Sequence, residues 1–314
     1  MKKLIFLFSL FLFVLSTSAQ PNSLKKSIDE LNTYLSVYDS LSSHGEHYYT
    51  PKLLKLTHQD LIKEFGEPLK HIDSLETFES IGIIQSKIDK LLRQVLIHEK
   101  ANTFDFKNSF HENLSVVVSD DNKLFNFSID GKSGGSYQSR ISWIYYLNES
   151  IFNEYPVHDI WDFREQETPT IFEGNGYFKI DTFTALNSVY YLLHGSVRTC
   201  GACYVDYVTL VHFDKGDFEL DFEYAIDSRD YDEKIVFDKD SKTLTIQYVT
   251  DDLSEDCFCS NEEYQTYWTD GKTKDELFND DETLKEQSCS CIFKFNGKTF
   301  ELTNRNAEFL KTKD

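Results

Sequence analysis

The segment YVDYVTLVHF (Tyr204–Phe213), then DKGD (Asp214–Asp217), then FELDFEY (Phe218–Tyr224) is the clearest architectural signal in the chain. Its first part is rich in β-branched and aromatic residues. Its last part alternates apolar with polar residues, the two-residue period of a strand with one buried face. The four residues between them have hairpin-turn chemistry. The same period recurs after Ala101 and predicts strands over Leu114–Ser119, Leu124–Ile129, Ser139–Leu147, Tyr177–Phe183, Val189–Leu193, Lys234–Phe237, Leu244–Val249, Cys291–Phe295 and Thr299–Leu302. Further turns are predicted at Ser119–Asn122, Asp238–Ser241 and Asn296-Gly297, the last being strongest because both residues tolerate positive φ. No helices alternate with these strands, which argues against a doubly wound parallel sheet. The expected body is a mainly antiparallel β domain folded as a sandwich, a barrel or an irregular propeller-like sheet. Uneven hairpin spacing argues against a repeat architecture.

Ahead of this body the period is helical. Leu24, Ile28, Leu31, Leu35, Tyr38 and Leu41 fall three or four apart, one stripe of an amphipathic helix. Thr50-Pro51 reads as N-cap and first residue of a second helix, which Gly66 stops. A capping-box spacing at Asp73–Glu76 precedes Phe78, Ile81, Ile84, Ile88, Leu91, Leu92, Val95 and Leu96, a long helix expected to end near Lys100. The fold class is therefore α+β: a helical region over 20–100, a β domain over 101–305 with an acidic insertion at 250–288, and a short tail over 306–314.

Residues 1–19 read as an export signal. Lys2 and Lys3 are followed by the apolar run Leu4–Leu15 and the small residues Thr17-Ser18-Ala19. A run of about twelve residues is too short to span a bilayer as a helix, which needs about twenty. No later apolar stretch is long enough either, so no membrane insertion is expected after signal removal. The mature chain is expected to start at Gln20 in an oxidising space, periplasmic or secreted. Twenty-six Phe and 18 Tyr indicate a packed core rather than a disordered chain. The formal charge of −21 argues against nucleic acid, whose phosphates need clustered Lys and Arg, and favours solubility.

The six cysteines stand as Cys200-x-x-Cys203, Cys257-x-Cys259 and Cys289-x-Cys291. Three chemistries compete. In strands, residues two apart face one side, so two neighbouring antiparallel segments would be joined twice, Cys257 with Cys291 and Cys259 with Cys289, while Cys200 and Cys203 close a local ring. Alternatively four thiolates would hold zinc. Thirdly, Cys200-Gly201-Ala202-Cys203 resembles a thioredoxin-type redox tetrad, but strand-forming residues follow it where that family opens a helix. Structural disulfides are the favoured reading; no metal and no cofactor is assigned.

Other motifs fit poorly. Gly131-Lys132-Ser133-Gly134-Gly135 matches G-x-S-x-G but sits between two strands, where a hydrolase elbow needs a helix to follow. It reads as a glycine-rich hairpin loop. His44-Gly45-Glu46-His47 reads as solvated polar residues rather than metal ligands.

Phe127–Asp130 through Gly134–Tyr137, Tyr190–Leu193 leading to Cys203, and Phe237–Ile246 with Phe293–Phe300 carry a loose resemblance. In these segments the chain resembles uncharacterised exported proteins of Bacteroidota, over about the last 200 residues. The resemblance implies a helical start and an antiparallel β body, and it carries no catalytic residues.

Export, acidity and the lack of a convergent acid, base and nucleophile set point to a non-enzymatic binding or envelope-interaction protein. Its partner would be an unidentified protein or glycan. The alternative is a secreted hydrolase acting on envelope or extracellular glycans with paired carboxylates. An oxidoreductase centred on Cys200 and Cys203 is the third reading.

Overall fold

The computed structural model describes residues 21–66, 73–96, 98, 101, 104–147, 158–159, 176–214, 217–228, 234–250, 257–260 and 286–309. The expected signal at 1–19, the Lys215-Gly216 turn and most of the acidic insertion lie outside these residues. The chain divides into two compact units, one within 1–116 and 145–159, the other within 117–144 and 160–314.

In the first unit, helix α1 (Pro21–Asp39) buries the stripe Leu24, Ile28, Leu31, Leu35 and Tyr38. The two-residue strand β1 (Tyr48–Tyr49) follows. Thr50-Pro51 starts a single turn rather than the expected helix. Thr50 Oγ1 accepts the Leu53 amide at 3.3 Å, but Lys55 takes φ 57° and the chain leaves the helical path. Helix α2 (His58–Phe65) starts later, where Thr57 and Asp60 form a reciprocal capping box, and Gly66 closes it at φ 83°. Near 73–76 the capping-box spacing gives way to pairing: strand β2 (Leu75–Glu76) lies antiparallel to β1. Helix α3 (Thr77–Leu96) packs against α1 with Ile81, Ile84, Ile88, Leu91, Leu92 and Val95 buried. Their spacing of three and four residues makes one continuous apolar face.

The remaining strands are β3 (Ser115–Val118), β4 (Leu124–Asp130), β5 (Arg140–Tyr146), β6 (His158–Asp159), β7 (Tyr177–Ala185), β8 (Ser188–Arg198), β9 (Tyr204–Asp214), β10 (Asp217–Ser228), β11 (Lys234–Asp238), β12 (Thr243–Thr250), β13 (Gln287–Phe295) and β14 (Phe300–Phe309). They form three four-stranded sheets of consecutive strands, β3 to β6, β7 to β10 and β11 to β14. None closes into a barrel, which removes that option for the β body. The register pairs of the last two sheets are antiparallel throughout. Strand β14 continues to Phe309, so the segment expected as a tail from 306 begins as a ladder strand.

The second unit is built on the two faces of the β7–β10 sheet. One face sends Phe183, Tyr190, Leu192, Val208, Leu210 and Tyr224 against Leu244, Ile246, Phe293, Phe295 and Phe300 of the β11–β14 sheet. Phe183 meets Phe295 edge-on at 5.2 Å between centroids, and Tyr224 meets Phe293 at 5.6 Å, the offset geometry that aromatic quadrupoles favour. On the other face, buried Asn126 of β4 donates to the Tyr177 carbonyl at 3.0 Å and accepts from Ser142 at 2.5 Å. Tyr191 donates to Asp121 at 2.7 Å. Asn126, Ser142 and Asp121 are thus paired, as a low-dielectric core favours.

A close approach requires the glycine at 195. It pairs with Tyr207 across β8 and β9, and a Cβ at 195 would lie 2.1 Å from the tyrosine ring. Gly195→Ala is expected to lower unfolding stability by ~1–3 kcal/mol through overpacking, read from urea denaturation. An unchanged midpoint would mean that the ring does not cover this backbone.

Candidate functional site

Two edge irregularities of the β7–β10 sheet gather titratable side chains around them. The first is on edge strand β7, where the register shifts between Tyr177 and Lys179. A bulge leaves one residue unpaired and re-aims its side chain. Here that residue is Phe178, 62% exposed, with its ring 6.4 Å from that of His194 on β8. Beside it Asp181 joins two side chains: His194 Nε2 lies 2.9 Å and Lys179 Nζ 2.6 Å from Asp181 Oδ2. The His194 side chain is only 5% exposed. Burial by itself raises the Asp181 carboxyl, but the bonds from His194 and Lys179 outweigh it and hold the group below the usual carboxylate range. The result is an exposed aromatic ring flanked by a fixed polar trio.

The second irregularity is on edge strand β10, where the register shifts between Leu220 and Phe222. Asp221 occupies this bulge with a side chain 1% exposed and meets His212 Nδ1 at 2.5 Å. Thr299 donates to the Asp221 carbonyl at 2.7 Å, and the His212 ring lies 5.1 Å from Tyr190, whose hydroxyl donates to the Gly297 carbonyl at 3.0 Å. Burial raises the Asp221 carboxyl; His212 and Lys298 offset part of that effect. Burial also raises Glu223, whose Oε2 makes no hydrogen bond among the described residues. The bulge lets neighbouring Asp221 and Phe222 serve the face that carries His212 and Leu210. Glu223, opposite Thr209, serves the other face. The sheet therefore separates these two carboxyls, and they do not form the pair that a glycosidase needs.

All six cysteines are paired: Cys200 with Cys203, Cys257 with Cys289, and Cys259 with Cys291. The last two pairings correct the expected crossing of Cys257 with Cys291 and Cys259 with Cys289. That expectation assumed an antiparallel ladder between the two C-x-C segments. Instead Cys257-Phe258-Cys259 lies outside any strand, and the Phe258 carbonyl accepts the hydroxyls of Tyr224 and Tyr248. With no ladder to impose opposite direction, the two segments join in the same order. On β13 the period of two does send Cys289 and Cys291 to one buried face, as expected.

Among the described residues no group of three or more His, Cys, Asp or Glu is placed to hold a metal ion. His47 lies with its ring 6.3 Å from Tyr49, and His44 Nδ1 meets Ser43 Oγ at 3.1 Å. Ser133 braces its loop: its Oγ donates to the Tyr137 carbonyl at 2.8 Å and accepts the Ser139 amide at 3.2 Å. Gly134 and Gly135 have φ of 75° and 67°, matching a glycine-rich hairpin loop and not a nucleophile elbow.

Sequence reasoning missed Phe178, the Asp181–His194 contact and the His212–Asp221 contact. Each contact crosses between strands, so register controls it and no local motif marks it. Searches against protein-family models, curated proteins and solved structures find no match to this chain.

Two outcomes follow from this geometry. The Cys257–Cys289 and Cys259–Cys291 bridges close nearly the same loop, so either alone removes most of the unfolded-state entropy, roughly 3–4 kcal/mol. Replacing one pair by alanine should cost less than half of what replacing both pairs costs, measured by guanidinium denaturation. Ionised Asp181 contributes stability that is present above about pH 3.9 and is lost as pH falls through its lower native pKa. The difference in Tm between Asp181→Asn and the parent protein should accordingly shrink as the pH is lowered from 7 to ~3. A constant difference would assign the Asp181 contribution to packing.

Proposed function

We propose that this chain is an exported, non-catalytic binding protein that engages a glycan of the envelope or its surroundings through the Phe178 patch. One observation carries the reading. The β7 bulge holds an aromatic ring in solvent directly beside Lys179, Asp181 and His194. An exposed ring gives a flat apolar face for the C–H side of a sugar ring. The neighbouring carboxylate, ammonium and imidazole supply fixed acceptors and donors for hydroxyls. Pre-bonded side chains lose little further entropy on binding, which favours recognition by such a patch.

The three disulfides and the absence, among the described residues, of any helix long and apolar enough to cross a membrane are consistent with export. A hydrolase acting on the same class of polymer is the alternative, and the split of Asp221 from Glu223 across the sheet weighs against β10 as its active site.

The reading is tested by titrating the purified protein against soluble envelope polysaccharides in a calorimeter. Phe178→Ala should weaken binding at least tenfold, about 1.4 kcal/mol, and Asp181→Asn should weaken it to a smaller extent. Glycan binding that survives Phe178→Ala unchanged, or release of reducing ends from the polymer by the parent protein, would overturn it.

A further inference from the structure

We infer that Cys200–Cys203 is a thiol–disulfide exchange site, by which the β8–β9 hairpin accepts two electrons from an exposed protein dithiol. This goes beyond the glycan reading and uses other residues. The three bridges are not equivalent. Cys257, Cys259, Cys289 and Cys291 are buried in the aromatic core, whereas Cys200 and Cys203 are partly exposed around the exposed Gly201 and Ala202. Exchange needs in-line access of a thiolate to a sulfur atom, and only this bridge offers it.

The hairpin also does not need the bridge to stay closed. Arg198 and Tyr204 form the last ladder pair, and the Thr199 and Cys200 amides donate to the Cys203 carbonyl at 2.9 and 3.4 Å. A bridge spanning three residues also removes less unfolded-state entropy than one spanning thirty-two. Meanwhile Arg198 curls onto the same loop: its Nε donates to the Cys200 carbonyl at 3.0 Å and an Nη to the Gly201 carbonyl at 2.5 Å. That holds a permanent positive charge on the loop that carries both cysteines, and a nearby cation favours thiolates over thiols. The half-exposed rings of Tyr204 and of Tyr137, next to Gln138 that bridges to Arg198, supply apolar surface for an approaching chain.

The reaction balances. A partner thiolate attacks one sulfur, the Cys200–Cys203 bond breaks, and a mixed disulfide forms as the other cysteine leaves as thiolate. The partner's second thiol loses its proton and attacks the mixed bond. The partner departs as a disulfide, oxidised by two electrons, and Cys200 and Cys203 carry the two protons as thiols.

The test equilibrates the full folded chain in glutathione redox buffers at pH 7 and maps free thiols by differential alkylation and mass spectrometry. Cys200 and Cys203 should become alkylated together while the other four cysteines remain paired. Arg198→Gln distinguishes function from bracing by sign. If the charge stabilises the reduced state, the equilibrium constant for reduction falls three- to tenfold and Arg198→Lys restores most of it. If Arg198 only braces the closed loop, its loss makes reduction easier. In the reduced parent protein the alkylation rate should titrate with a midpoint below the ~8.5 of free cysteine, and Arg198→Gln should raise that midpoint. Reduction only together with the core bridges, easier reduction of Arg198→Gln, or a midpoint at or above that of free cysteine would each overturn the inference.

Discussion

The aromatic seam between the β7–β10 and β11–β14 sheets is the constraint on which the second unit depends. Each inward position on one sheet finds a ring or a branched side chain opposite, and the Cys259–Cys291 and Cys257–Cys289 bridges lie within the same cluster. Burying a large aromatic side chain removes 150–250 Å² from water, so this seam outweighs any single polar contact in the unit. It also constrains register. A one-residue slip in β8 would turn Tyr190 and Leu192 out of the seam and Tyr191 and Leu193 into it, and Tyr191 already bonds Asp121 on the other side.

Within that constraint the edge strands carry the variation. Both bulges fall on the outer strands of one sheet, where a disturbed ladder costs least. At β7 the bulge projects a ring into solvent; at β10 it turns a carboxyl inward onto an imidazole. The same backbone device therefore makes a surface feature at one edge and a buried polar contact at the other. The difference lies in what packs nearby: Thr299 and the Asn296–Thr299 turn cover Asp221, while Phe178 stays open.

Much of the architecture was legible because it is written in short-range periods. The change from a spacing of three and four to a spacing of two near residue 101 separated helices from strands, and each predicted strand overlaps one of β3 to β5 and β7 to β14, although β8 and β14 run on to Arg198 and Phe309, well past their expected ends at Leu193 and Leu302. Asn296-Gly297 was legible as a turn, with Gly297 at φ 112° and the Asn296 side chain accepting the Lys298 and Thr299 amides. The β7–β8 turn carried no such signal, because Leu186 and Asn187 adopt φ of 48° and 70° with a leucine where glycine or asparagine is usual. Thr50-Pro51 misled for the opposite reason: its local capping chemistry is real, but Lys55 ends the turn before a helix can propagate.

The residues alone settled where the two long helices and most of the strands form, which cysteines lie close enough to pair locally, and that the chain carries excess negative charge. These depend on neighbours within one turn of helix or one hairpin. Which sulfur of each C-x-C meets which, that Phe178 faces water, and that Asp181 meets His194 while Asp221 meets His212 were decided by the packed sheets. Those outcomes depend on register and direction between segments far apart in the chain, and a single bulge inverts every assignment that follows it.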